Sequence, residues 1–176
     1  DDRERLIGMV KEMGLYQMDV PTEYGGPGVD TVTRTLVAEE LSQHNAGLYA
    51  PAYGVFGSGP PGQLYGGSDY LKENYLLPGI RGEKRGFFGL SEPSGGSDPA
   101  RAIQTRAVRD GDDWIINGLK LFITGIREPD LMYGPFVTDP EGARHHNLGY
   151  FLIPYPTPGV TLERMTLLNG PGQLFI

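Results

Sequence analysis

The stretch LSEPSGGSD, residues 90–98, gathers the hydroxyls of Ser91, Ser94 and Ser97 and the carboxyl of Glu92 around a Gly95-Gly96 pair. Glycine lets a ligand approach the backbone closely, and successive unpaired N–H groups form a nest for an anion. The same residue types also build ordinary surface turns. On these residues alone both readings stand. The apolar lead-in Phe87-Phe88-Gly89-Leu90 suits a buried strand, which Pro93, having no amide hydrogen, must end. Glu92 is an acid beside this loop. Its place directly before Pro93 restricts its backbone, and a structural role is the expectation.

A second constellation lies in WIINGLKLFIT, residues 114–124. Asn117-Gly118 is a strong hairpin signal, because both residues tolerate positive φ. With those two residues central, Ile116 pairs with Leu119, Trp114 with Leu121, and Asp112 lies opposite Ile123. Alternation then puts Trp114, Ile116, Leu119, Leu121 and Ile123 on one face, the expected core, and Ile115, Lys120, Phe122 and Thr124 on the other. Phe122 and Thr124 thus offer an aromatic plane beside a hydroxyl. That face is either a second buried layer or half-exposed sheet, or a platform for a planar, hydrogen-bonding ligand.

Other chemistries are absent from the sequence. There is no cysteine, which removes disulfides, thiolate zinc sites and thiol nucleophiles. No GxSxG elbow, GxxxxGK[ST] loop or HExxH helix occurs. His145-His146 sits in the hydrophilic run 140–147, expected to be a solvated hairpin loop, and lacks the spaced ligands of a metal site. The formal charge of −7 argues against a general nucleic-acid binder. No apolar run approaches the ~20 residues that span a bilayer.

The elements that must position these groups fall into two halves. Residues 1–14 and 31–45 carry apolar residues at helical spacing, Leu6, Met9, Val10 and Met13 in the first and Val32, Leu36, Val37 and Leu41 in the second. Asp30 can cap the second helix. Residues 68–75 are a third helix candidate and 46–56 a weaker one, while 20–30 and 57–62 are irregular. Strands are expected at 102–109, 114–124, 131–138, 148–154 and 160–165. The chain is therefore α+β, with a helical domain over residues 1–84 and a mainly antiparallel, barrel-like β-domain over 85–176. It begins at Asp1 rather than Met and stops inside the apolar run Gln173-Leu174-Phe175-Ile176, so a piece of a longer polypeptide is expected.

The motifs resemble a known family. Glu92-Pro93 with Gly96-Ser97-Asp98, then Ile116-Asn117-Gly118 and Phe122-Ile123-Thr124, look like the middle domain of the acyl-CoA dehydrogenases. Val20-Pro21-Thr22-Glu23-Tyr24-Gly25-Gly26 and Ala38-Glu39-Glu40-Leu41 look like their helical N-terminal domain. The resemblance implies FAD as cofactor, an acyl-CoA substrate dehydrogenated at its α,β bond, and an electron-accepting flavoprotein or oxygen. It also implies a homo-oligomeric full-length form in the cytoplasm, or the mitochondrial matrix in a eukaryote. Carried over, Phe88, Gly89, Leu90, Ser91 and Ser97 would line the flavin, with Ser91 at its pyrimidine end and Ser97 also meeting the acyl-CoA. Phe122, standing where the family usually has Trp, would pack on the isoalloxazine; Ile123 follows it, and Thr124 would reach the reactive ring nitrogen. The family's base is usually a Glu of a C-terminal four-helix domain, which this sequence lacks, so no catalytic residue and no metal ligand is assigned. A flavin-dependent oxidase or monooxygenase of the same fold, and a non-catalytic scaffold, are the alternatives.

Overall fold

A computed structural model describes residues 2–43, 54–95, 97–124, 129–167 and 170–175, the side chains of 167 and 170–175 excepted. The chain divides into two compact units, residues 1–84 and 85–176. The expected weak helix at 46–56 lies mostly outside the described residues, and 54–56 form a turn.

In the first unit, helix α1 (Asp2–Glu12) ends where Gly14 turns left-handed at φ 71°. Helix α2 (Thr31–Leu41) starts at Asp30, whose carboxylate accepts the N–H groups of Val32 at 2.9 Å and Thr33 at 3.1 Å. The third helical run begins as α3 (Asp69–Leu71), widens into a π turn (Lys72–Leu76) and ends as α4 (Leu77–Arg81). Pro78 brings no N–H to this ladder, and the Asn74 carbonyl one turn back is taken by Lys84 Nζ at 3.0 Å. Val10, Val20, Val55, Leu64 and Leu76 are buried. The apolar faces expected of α1 and α2 are otherwise only partly covered: Leu6 and Val37 are half-buried, while Met13, Val32 and Leu36 are 60% exposed or more. Helical spacing marked a face, but only packing decides whether it is covered.

Among the described residues the second unit has eight strands in two sheets. They are β1 (Gly86–Phe88), β2 (Arg106–Asp110), β3 (Asp113–Asn117), β4 (Ile123–Thr124), β5 (Leu131–Val137), β6 (Leu148–Pro154), β7 (Glu163–Leu167) and β8 (Gly170–Phe175). A short helix, α5 (Pro99–Ala102), follows the Ser/Gly loop. The larger sheet runs β1-β5-β2-β3, with β6 also on β5; the smaller runs β4-β8-β7. Strand β5 pairs in parallel with β1 and β2, while the remaining pairings, β2–β3, β5–β6, β4–β8 and β7–β8, are antiparallel. The core includes Ala100, Ile103, Ala107, Ile123, Leu131, Met132, Phe136 and Val137.

The hairpin expected at Asn117-Gly118 is not there. Strand β3 pairs backwards with β2, Asp110 opposite Asp113, so the turn is Gly111-Asp112 with Gly111 at φ 62°. A type I′ turn needs positive φ at both central residues, and Asn117 does not have it. Gly118 serves close approach instead: a Cβ there would stand 2.3 Å from Thr105 Oγ1. The apolar face predicted from that hairpin fails with it. Ile123 is buried, but Trp114 and Leu119 are 42% and 46% exposed, and Lys120, assigned to the opposite face, is buried.

Where β5 leaves β1, Gly134 packs on the backbone of Gly89, and a Cβ at 134 would lie 2.2 Å from the Gly89 carbonyl oxygen. Gly134→Ala is expected to push β1 off β5 and to cost roughly 1–3 kcal/mol, the usual range for overpacking. Urea unfolding curves of the two proteins check this.

Candidate functional site

The candidate site begins with a buried ion pair. Lys120 Nζ donates to Glu92 Oε1 at 2.7 Å, and both side chains are about 95% buried, with relative exposures of 6% and 4%. The ammonium also donates to the carbonyls of Pro135 at 3.0 Å and Leu90 at 3.5 Å, and lies 4.9 Å from the Phe136 ring centroid. Glu92 Oε2 accepts Gln104 N–H at 2.6 Å, and the Thr105 N–H is shared between both carboxylate oxygens at 3.2 Å. Burial alone would raise the Glu92 pKa, but the bonds from Lys120, Thr105 and Gln104 outweigh it and hold it below the usual carboxylate value. Burial lowers the Lys120 pKa, with Glu92 opposing. Glu92 is thus saturated as an acceptor and fixed in place. It is a structural carboxylate, as its position before Pro93 suggested, and not a free base.

The pair fills a gap in the sheet. On one side of β5, Tyr133 O accepts Gly89 N–H at 2.8 Å and Val137 N–H donates to Thr105 O at 2.9 Å. Between them stands Pro135, which has no N–H to offer, and whose carbonyl is met by Lys120. Proline is tolerated inside this sheet because β6 pairs with it only on the other side, opposite Tyr150, and no strand faces it at this gap.

Through this clamp two separate segments are joined. Glu92 fixes the Ser/Gly loop, Lys120 fixes the segment leading into β4, and Leu121 N–H donates to Ser91 O at 2.9 Å. Ser91 and Leu90 are half-buried, Gly89 is buried and Ser97 is exposed. Phe122 and Thr124 are both exposed, with Ile123 between them 3% exposed. Phe122 is 57% exposed and its backbone is left-handed at φ 58°. A bulky residue in that region carries strain on the order of 1–3 kcal/mol, which a fold sustains mainly where a function uses it. Phe88 stacks on Tyr133, ring centroids 5.7 Å apart, and stays 45% exposed. Elsewhere the loop is tied down by Ser94 Oγ donating to Ala102 O at 2.9 Å and by Arg144 paired with Asp98 at 2.7 Å.

Sequence reasoning assigned Glu92 correctly as structural but missed its partner. Lys120 was legible as the single charge in the apolar run Leu119 to Ile123, and a lone cation there calls for a buried anion. His145 and His146 are exposed in the loop between β5 and β6. Among the described residues no three His, Asp or Glu side chains gather as metal ligands, and no helix is long and apolar enough to cross a membrane.

The chain is similar to known proteins along nearly its whole length. Residues 1–83 match the family described as acyl-CoA dehydrogenase, N-terminal domain, and residues 87–172 the one described as acyl-CoA dehydrogenase, middle domain. The short-chain specific acyl-CoA dehydrogenase, mitochondrial, of Homo sapiens is 38% identical over 170 residues, covering 93% of this chain and 40% of its own. The crystal structure of an acyl-CoA dehydrogenase from Geobacillus kaustophilus superposes with a TM-score of 0.72 at 26% identity, over 99% of this chain and 47% of that one. A chain in the structure titled as the electron transferring flavoprotein of Acidaminococcus fermentans matches with a TM-score of 0.71 at 32% identity, over 97% of this chain and 46% of its own. The chain therefore spans less than half the length of these relatives.

Removing one partner of the clamp strands a buried charge. Lys120→Met is expected to destabilise the second unit by about 3–5 kcal/mol, and adding Glu92→Gln should restore much of the loss, because no unpaired charge is left. Chemical denaturation of the single and double variants measures it. The pH dependence follows from the sign of the Glu92 shift. Its native pKa lies below the ordinary value of 4.5, so its contribution is complete above that pH and is lost as pH falls through the lowered native pKa. Urea midpoints followed from about pH 6 to about pH 3 should fall in the unmodified protein and fall less steeply in Glu92→Gln.

Proposed function

We propose that this chain, which belongs to the acyl-CoA dehydrogenase family, is the flavin- and thioester-binding portion of an enzyme that dehydrogenates acyl-CoA at its α,β bond. The observation that carries the reading is Phe122: an aromatic ring 57% exposed on a left-handed backbone, two residues from an exposed Thr124 and bonded through Leu121 to Ser91. Neither the exposure nor the strain serves the core, whereas a planar, hydrogen-bonding ring system uses both.

The donor set fits FAD. Phe122 would pack against the isoalloxazine, the Thr124 hydroxyl would donate to its reactive ring nitrogen, and the Ser91 hydroxyl to its pyrimidine end. Phe88, Gly89, Leu90 and Ile123 would supply the backbone wall, and Ser97 would stand where the loop meets the thioester. FAD supplies the acceptor for the hydride that leaves the β-carbon. The chain's own residues hold and orient. Glu92 and Lys120 keep the Ser91 loop and the Phe122–Thr124 segment in register, and no group among them is free to remove the α-proton. By the family resemblance, that base would lie in a part of the relatives beyond the matched length. An electron-accepting flavoprotein as the oxidising partner is supported by the likeness to a chain from the Acidaminococcus fermentans structure.

Titration with FAD, followed by flavin absorbance and fluorescence, tests this. The chain should bind FAD, and Phe122→Ala should weaken binding roughly tenfold, the order expected for one aromatic packing contact. Thr124→Val should shift the flavin absorption band by removing one hydrogen bond. The chain by itself should not reduce a dye with saturated acyl-CoA. Absence of FAD binding, or equal affinity in Phe122→Ala, would overturn the reading.

A further inference from the structure

Phe122 sits where the chain changes sheets. The two residues before it are tied to the larger sheet and the loop leaving it. Lys120 Nζ fills the gap beside Pro135, and Leu121 N–H donates to Ser91 O at 2.9 Å. The two residues after it form β4 of the smaller sheet, where Ile123 pairs with Leu174 and Thr124 with Gln173. Strands that pass from one sheet to another do so through a bulge or a bend. Here the bend coincides with a single left-handed residue, Phe122 at φ 58°, the one positive φ among residues 119–124.

An aromatic L-residue is ill suited to such a corner, which glycine or asparagine holds with less strain. Core packing does not account for the choice, since the side chain is 57% exposed. The corner has a second consequence. It sets the direction in which β4 departs, with Ile123 turned inward at 3% exposure and Thr124 turned outward.

We infer that residue 122 is a positioning residue through its backbone, separately from the packing of its ring: the left-handed turn is what aims the Thr124 hydroxyl at the flavin. This rests on the flavin reading proposed above and adds to it the requirement for that turn. With residue 122 extended, the chain would run on in the direction Leu121 gives it. Leu121 could not then keep Ser91 while Ile123 keeps Leu174. Ring and turn are separable, because packing needs an aromatic side chain, whereas the turn needs only a residue that tolerates φ near the observed 58°.

Phe122→Asn and Phe122→Val form the matched test. Both remove the ring, so both lose its packing equally; asparagine accepts the left-handed region and β-branched valine does not. Each is made with Thr124 and with Thr124→Val, loaded with FAD, and read by flavin absorption and by FAD titration. In Phe122→Asn, adding Thr124→Val should move the flavin band as far as it does in the unmodified chain. In Phe122→Val it should move nothing, and FAD should bind at least about fivefold more weakly than to Phe122→Asn, the worth of one hydrogen bond. Should Phe122→Val fail to fold, Phe122→Ala takes its place, with a smaller difference in the same direction. Equal affinities with equal band shifts in the two variants, or loss of the Thr124 shift in Phe122→Asn, would overturn this inference and leave the flavin reading standing. A chain that binds no FAD overturns both.

Discussion

A single ammonium holds the second unit's working surface together. Along one side of β5 the backbone ladder is served by Gly89 at Tyr133 and by Thr105 at Val137, and between them Pro135 interrupts it. Lys120 enters that gap from outside the sheet and bonds the stranded carbonyl. A lysine buried there needs an anion, and Glu92 provides it, itself saturated by the N–H groups of Gln104 and Thr105. Four segments of chain, around residues 90–92, 104, 120 and 135, meet at two side chains. Such a pair is weak evidence for net stability, because desolvation offsets much of the attraction. What it secures is register.

Register is what a cofactor surface requires. The Ser91 loop and the Phe122–Thr124 segment are 31 positions apart in sequence, taking Ser91 to Phe122, and each is irregular by itself. One is a Pro/Gly/Ser loop; the other passes through a left-handed Phe before a strand of two residues. Neither would hold a ligand-ready geometry unaided. Bound through Leu121 N–H to Ser91 O and through the buried pair, they become one surface. The chain belongs to the acyl-CoA dehydrogenase family by both its N-terminal and middle domains, and under the proposed function that surface would take the flavin.

The helical unit shows the same economy on a smaller scale. The end of α4 is closed by side chains, Lys11 on Arg81 and Gln17 on Gly79, that come from the first helix and the turn after it. A π turn and a proline in the third helical run leave the Asn74 carbonyl to Lys84. In both units, then, long polar side chains complete backbone hydrogen bonding where glycine, proline or an irregular turn has broken it.

The sequence by itself determined the α+β order, the Asp30 cap, the positions of β5 and β6, the structural character of Glu92 and the family. Each of these rests on local chemistry: capping groups, apolar runs, prolines and short motifs. It misled at Asn117-Gly118, although Asp110-Gly111 carried a rival turn signal seven residues earlier, and the apolar face deduced from that hairpin was wrong in consequence. Which Gly-containing pair turns depends on which strands then find partners, and β3 found β2. Only the tertiary structure decided that Lys120 is buried, that Phe122 is left-handed, and that α2 leaves Val32 and Leu36 open. Those outcomes hang on groups far apart in the chain, because burial of a charge or exposure of a face is settled by what arrives to meet it.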